Sequence, residues 1–459
     1  MAAPRLIVIG AGPAGVRAAE ALVQAGLRPI VIDEGRRDGG QIYRRQPENF
    51  SRPYAQLYGS EAAKAQALHH AFDTLKPRLD YRPETLAWNI SGGALHVIRD
   101  GRAQALPYDA LLICSGATDR LLPLPGWHRA GCYSLGAAQI ALKAQACAIG
   151  RRVAFVGTGP LLYLVASQYL KAGASLAAVI DTSPAAPAAA LPGLLARPAL
   201  LLRGLGLIAR LRRAGVPLLR GAIPLRVEGD ADNGADALVV RTGSRERRFS
   251  CDAVAMGYHL RAETQLADLA RCDFRFDDAS RQWLPAIDED GRASASGVYL
   301  AGDGARILGA DGAEAAGRLA ALAALHDLGL QPGAGRYAAE HKALRARLAK
   351  MERFRRGLAL AFPWPQAQAA ALSDEAVVCR CETITAGELR RCATEPGGSE
   401  LNRAKAFSRI GMGRCQGRYC GHAGAEIVAA ACAAPVHQVD RLRGQAPVKP
   451  LPLDVEVVQ

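Results

Sequence analysis

The chain opens on four consecutive apolar residues, Leu6, Ile7, Val8 and Ile9. A glycine-rich turn follows, then apolar positions on one helical face over residues 16–25, then a second apolar run at Ile30, Val31 and Ile32. So short a continuous apolar run suits a strand buried on both faces, as in a parallel sheet, and the 3.6-residue spacing suits a helix crossing over it. Gly26 stops that helix, and Asp33 and Glu34 close the second strand. The same order recurs from Val153: an apolar run, a turn holding Gly157 and Gly159, helical spacing to near Gly173, and a strand ending at Asp181. Two copies of this plan predict an α/β chain with two dinucleotide-binding, Rossmann-like domains.

Past residue 330 the pattern changes. A charged stretch of helical character runs to breaks at Pro363 and Pro365 and predicts a helical connector over 331–374. Residues 375–440 hold two close cysteine pairs, and 441–459 form a Pro-rich, extended tail that lies on a surface or reaches a partner. The nucleotide-binding part divides into a first segment, 1–125, an inserted second domain, 126–285, and a return segment, 286–330.

At 459 residues the chain is too long for one core, and its 50% hydrophobic content is that of a soluble globular protein. The formal charge of +14 comes from arginines spread along the chain, without a basic patch bearing stacking aromatics, so nucleic acid is not expected as a partner. The N-terminus has no charged leader or long apolar region, which predicts a cytoplasmic location. Residues 184–215 are apolar but broken by prolines and arginines, which excludes a membrane span; the helix at 200–215 is expected to cover the second domain. Eleven cysteines in such a chain argue for thiols or metal ligands rather than disulfides. Cys114, Cys147, Cys251 and Cys272 stand singly and are expected to be buried and inert. His69 and His70 lack acidic or cysteine neighbours and are expected on a helix surface.

Gly10, Gly12 and Gly15 satisfy GxGxxG, with Pro13 and Ala14 between them and Asp33 18 residues beyond the last glycine. Gly10 makes the tight turn, Gly12 admits a pyrophosphate to the helix N-terminus, Gly15 allows close helix–strand packing, and Asp33, with Glu34 beside it, accepts from ribose hydroxyls. Two later segments, "YDALLICSGATDR" with Ser115 and Gly116 and "GVYLAGDGARILGADG" with Gly302 and Asp303, resemble the distal signatures of two-dinucleotide-domain flavoproteins such as glutathione and thioredoxin reductases. The resemblance implies FAD, with Asp303 on its ribityl chain, the helix after Asp311 aimed at the pyrimidine edge, and Gly39, Gly40 and Gln41 beside the ring. No cysteine pair follows Gly40 and Cys132 stands alone, so disulfide reduction is excluded. In the second unit Leu162 replaces the third glycine, which crowds the phosphate site and counts against NAD(P).

Cys379 and Cys381 form CxC, and Cys415 and Cys420 form CxxxxC after a 33-residue interval. Four thiolates with glycines at Gly411, Gly413, Gly417 and Gly421 suit a [2Fe-2S] cluster better than zinc, whose ribbons use two CxxC knuckles. Cys392 and Cys432 fall outside the spacing and are expected to be buried spectators. The cysteine segment resembles bacterioferritin-associated ferredoxin. With "GAGPAG" and "IDEGRRDGGQIYR", the whole chain resembles the alpha subunits of opine oxidase, D-hydroxyproline dehydrogenase and hydrogen cyanide synthase. That resemblance implies an electron-transfer subunit that works with an amine-oxidising, FAD-bearing beta subunit and a small gamma subunit. It also implies room for FMN at a subunit interface and peripheral association with the inner membrane. The competing expectation is a self-contained NAD(P)H-dependent FAD/[2Fe-2S] reductase. No catalytic residue stands out.

Overall fold

The computed structural model describes residues 4–330 and 334–457. Its first sheet is parallel and five-stranded, in the order Val298–Leu300, Ala110–Ile113, Leu6–Ile9, Ile30–Ile32, Asp80–Arg82. Alternate residues of Leu6–Ile9 feed different cores. Leu6 and Val8 pack against the helices Pro13–Gln24, Ala62–Leu75 and Ala310–Asp327, whereas Ile7 and Ile9 pack with Leu95, Val97 and, from the tail, Val448. Helix Pro13–Gln24 starts before the apolar spacing does, because Pro13 needs no hydrogen-bond partner in the first turn.

The inserted domain has its own parallel sheet, in the order Leu218–Arg220, Ser175–Asp181, Arg152–Thr158, Ala253–Tyr258, Cys132–Ser134. Its outgoing and returning legs, Ala117–Asp119 and Leu260–Ala262, pair antiparallel where the chain crosses between the sheets. The connector is the helix Ala334–Ala361, the start of the expected segment at 331–333 lying outside the described residues. The C-terminal unit has a small hairpin, Val377–Cys379 with Ile384–Thr385, and helices Ala386–Thr394, Leu401–Ser408 and Gly421–Ala431. It is not a separate bead: its apolar residues join the core of the inserted domain, and the Trp127 indole donates to the Val377 carbonyl at 2.6 Å.

Several side chains sit differently from expectation. His69 is 2% exposed, hydrogen-bonded through one ring nitrogen to the Tyr43 carbonyl and through the other to the Tyr54 hydroxyl. Cys147 is exposed, and Cys392 and Cys432 are half-buried. The helix expected at 200–215 spans Pro198–Arg213, yet Leu202 and Leu205 on it face solvent, so it covers less than its apolar content suggests. No single helix among the described residues is long and apolar enough to cross a membrane.

The helices Pro13–Gln24 and Ala310–Asp327 cross so closely that a Cβ on Gly317 would lie 1.9 Å from the Ala14 carbonyl oxygen. Gly317→Ala is expected to destabilise the chain by about 1–3 kcal/mol through this overpacking. Gly204→Ala, on an exposed helix with open space around it, should stabilise by about 0.5–1 kcal/mol. Urea unfolding of the two variants checks both signs.

Candidate functional site

The turn after Leu6–Ile9 leaves no room for side chains. Gly10 has φ +98°, and a Cβ on Gly15 would stand 1.7 Å from the Gly10 carbonyl oxygen. The Gly40 backbone comes against Gly12, so a Cβ on Gly40 would lie 2.9 Å from the Gly12 Cα, and Gly302 is equally close to the Ala14 side chain. Helix Pro13–Gln24 has no side-chain cap, so its first N–H groups and the positive end of its dipole are left to an anion. The Asp33 carboxylate accepts from the N–H groups of Ala11 and Gly35, both at 2.6 Å, and burial raises its pKa against those two bonds. Asp303 accepts from Leu308 and Gly309 N–H at 3.0 and 3.1 Å on one oxygen, and burial pushes its pKa up to about 6. A glycine cradle at a helix N-terminus with a half-buried carboxylate at its far end fits a flavin dinucleotide.

Other expected residues are engaged by the protein itself. Glu34 is exposed and ion-paired with Lys449 of the tail, and Gln41 accepts from Arg44 at 2.8 Å. The Ser115 hydroxyl donates to the Glu263 carbonyl at 2.6 Å, and the Gly116 carbonyl accepts from Glu263 N–H at 3.0 Å. Asp311 is held by Lys64 at 2.6 Å and Arg197 at 2.9 Å, which keep its pKa below the usual carboxylate range although burial opposes them.

The glycine turn of the second unit is closely packed. A Cβ on Gly157 would lie 1.7 Å from the Gly257 carbonyl oxygen, and one on Gly159 would lie 3.0 Å from the His259 ring. His259 donates through Nε2 to the Phe362 carbonyl, the Phe362 ring meets Tyr163 edge-on at 6.5 Å, and the Arg220 guanidinium lies over it at 5.6 Å. Asp181 is fully buried and accepts from the Tyr163 hydroxyl and from Ser183 N–H. Gly157 and Gly159 are thus closely packed within the inserted domain, and the end of the connector packs against their turn through His259.

The four paired cysteines converge. Cys379 and Cys420 are each 1% exposed, and the thiols influence one another in order, Cys379 with Cys420, Cys420 with Cys415 and Cys415 with Cys381. The Cys420 contact lowers Cys379 to about 6 and Cys415 to about 5, while Cys420 is driven well above the ordinary thiol value by its two thiolate neighbours. N–H groups of Gly411 and Gly417 point at sulfur, and a Cβ on Gly413 would lie 2.2 Å from the Cys381 Cβ. Among the described residues no set of three or more His, Cys, Asp or Glu has the geometry to hold one metal ion. A [2Fe-2S] cluster takes two thiolates on each iron, so it asks for two pairs rather than one tetrahedron; the thiols divide into two pairs, and the donor set fits. Arg380 stacks between Trp127 at 5.2 Å and Tyr419 at 5.6 Å and fixes the CxC turn against the inserted domain.

A cleft lined by Arg120, Arg261, Gln265, Gln416, Gly417 and His422 runs from the cysteine loop toward the inserted domain. Arg120 stacks on Trp364 at 3.9 Å, and burial lowers its guanidinium to about 9. Motif spacing did not disclose Arg120, His259, Glu263, Phe362 or Arg418, whose partners lie far away in sequence.

The Pyridine nucleotide-disulphide oxidoreductase family matches residues 4–320. The chain is 37% identical to the A subunit of opine oxidase from Agrobacterium tumefaciens, over 98% of this chain and 90% of that protein. It is 30% identical to the HcnB subunit of hydrogen cyanide synthase from Pseudomonas aeruginosa, over 98% and 97%. In fold it is similar to L-proline dehydrogenase from P. horikoshii, with a TM-score of 0.69 at 18% identity, covering 98% of this chain and 78% of that one. Over 71% of its length it also matches thioredoxin reductase from T. acidophilum, 98% of which is covered, with a TM-score of 0.52 at 18% identity.

Burial, with Arg120 nearby, holds His259 down at about 4 against an ordinary 6.5. The depressed value means that the unfolded chain takes up the proton first, so stability present above pH 6.5 is lost as pH falls toward 4. Melting temperature should drop across this window more steeply for the wild type than for His259→Gln, whose amide stays neutral and can still donate to the Phe362 carbonyl.

Proposed function

We propose, from the premise that the chain belongs to the pyridine nucleotide-disulphide oxidoreductase family and to its branch of opine oxidase and hydrogen cyanide synthase subunits, that it is the electron-transfer subunit of a heteromeric flavin-dependent dehydrogenase acting on an amino acid, imino acid or opine. The family is one of flavin oxidoreductases, and these relatives fit oxidation of an amine or imino acid. One observation supports the finer reading: a glycine cradle at a helix N-terminus and four paired cysteines share the chain, while Phe362 packs against the second glycine turn.

Bound, a flavin would exchange an electron pair and an iron–sulfur cluster would pass single electrons, so a chain holding both can split a pair. The protein's part is to hold them. Gly10, Gly12 and Gly15 admit the pyrophosphate, Asp303 stands at the ribityl end, and Cys379, Cys381, Cys415 and Cys420 supply the thiolates. The C–H bond of the substrate is broken on a separate beta subunit. Being named subunits, the relatives support such a partner, and so do the exposed Leu191, Leu195, Leu202 and Leu205, which gain by burial against one.

The chain purified with its partner should carry flavin, iron and acid-labile sulfide, and Cys415→Ser should lose the iron and sulfide while keeping the flavin. Amine substrate plus partner, not NADH or NADPH alone, should bleach the flavin. Bleaching by a nicotinamide without a partner would establish the self-contained reductase in its place.

A further inference from the structure

Arg418 sits inside the CxxxxC loop, between Cys415 and Cys420, with its side chain 10% exposed. Its guanidinium does three things. It grips the Glu263 carboxylate with two arms at 2.8 and 3.3 Å, donates to the Cys415 carbonyl at 3.2 Å, and donates to the Val448 carbonyl at 2.9 Å. Each outer partner leads to the dinucleotide cradle. Glu263 is the residue whose backbone holds the Ser115 hydroxyl and the Gly116 carbonyl. Val448 is buried in the core under the first sheet with Ile7, Ile9 and Ile32, its N–H bonded to the Trp88 carbonyl at 3.1 Å. The next residue, Lys449, is ion-paired with Glu34 and feels the charge of Asp33 at the ribose end. Gln416, two residues before Arg418, adds a bond to the Pro447 carbonyl.

We infer that Arg418 is a positioning residue that couples the four-thiol loop to the dinucleotide cradle, so that a loop ordered by its cluster sets both Ser115–Gly116 and the Lys449 strap for the flavin dinucleotide. A planar, two-armed donor is required, because one side chain must hold a carboxylate and two carbonyls in fixed directions. The coupling is reciprocal: whatever tightens the loop tightens dinucleotide binding, and the bound dinucleotide helps the loop retain its cluster. The inference rests on the proposed pairing of a flavin with a cluster.

The test is the FAD dissociation constant of the full-length chain, read by flavin fluorescence before and after the cluster is stripped with a chelator. In the wild type, stripping should weaken FAD binding by about tenfold, the scale of losing charge-assisted bonds. In Arg418→Ala the binding should already be weaker by about as much and should no longer respond to stripping. Arg418→Lys, which keeps the charge but not the two-armed grip, should recover part of the affinity. Lys449→Ala should weaken FAD while leaving the visible spectrum of the cluster unchanged. Should Arg418→Ala fail to fold, Glu263→Gln, which keeps the backbone bonds to Ser115 and Gly116, carries the same readout. Equal FAD affinity with and without the cluster in the wild type, or an undiminished response in Arg418→Ala, overturns the coupling and leaves the functional reading intact. A wild-type chain that takes up no FAD at all removes that reading, and the coupling with it.

Discussion

One apolar core runs without a break from the inserted domain into the cysteine domain. Trp127, Val156, Met256 and Tyr258 belong to the same packed cluster as Trp364, Val378, Cys379 and Ile427. Burial on this scale is the main force that holds the small, cysteine-rich segment against the inserted domain, and the hydrogen bonds of Trp127, Gln265, Arg281 and Arg418 across the junction give it direction. Everything that gives the cysteine loop a direction follows from the docking. Arg380 finds its two aromatic rings, Arg418 reaches Glu263, and the connector that ends just before Trp364 is drawn across the second nucleotide-binding sheet.

The same docking brings the end of the connector against the second glycine turn. At the first turn the closest approaches are to the Cys114 and Gly10 carbonyls, whereas at the second they are to the Gly257 carbonyl and the His259 ring. Leu162, at the position of the third glycine, is fully buried. Asp181, which in an open site would accept from a ribose, is buried and has the Tyr163 hydroxyl instead. Satisfying that carboxylate internally removes the cost of burying it without a partner.

What the sequence disclosed and what it hid divide along a physical line. Strands buried on both faces announce themselves as apolar runs, and turns that forbid a Cβ announce themselves as glycine, so both βαβ units, their order and the first cradle were legible. The CxC and CxxxxC spacings are legible as two close cysteine pairs, whereas the convergence of the two pairs depends on the fold. His69 was misplaced because its partners, the Tyr43 carbonyl and the Tyr54 hydroxyl, are supplied by a folded loop that leaves no periodic signal. The second turn is legible from its glycines, while the groups packed against it, His259 and Phe362, come from distant parts of the chain. The place of Glu34 after a strand marks it as a cofactor-binding residue; its pairing with Lys449 depends on where a tail 415 residues away lands.

That tail changes what the C-terminus is for. A Pro-rich segment could as well wave in solvent, but here Val448 is buried under the first sheet, Glu456–Val457 extends the antiparallel sheet beside Arg102–Pro107, and Arg441 is anchored to Asp268 at 2.6 Å while stacking on Phe274 at 3.8 Å. Fixing so many residues costs backbone entropy of roughly 1–2 kcal/mol each, a cost that a solvent-exposed linker avoids. The return lies in position: the tail leaves the cysteine domain, passes the loop that carries Cys415 and Cys420, and ends along the dinucleotide-binding domain. Joined to the apolar docking of the cysteine domain, it makes two separate attachments between the parts, and two attachments restrict rotation where one would leave a hinge. Electron transfer between centres depends steeply on their separation, so a scaffold that removes the hinge would serve the proposed relay better than one that keeps it.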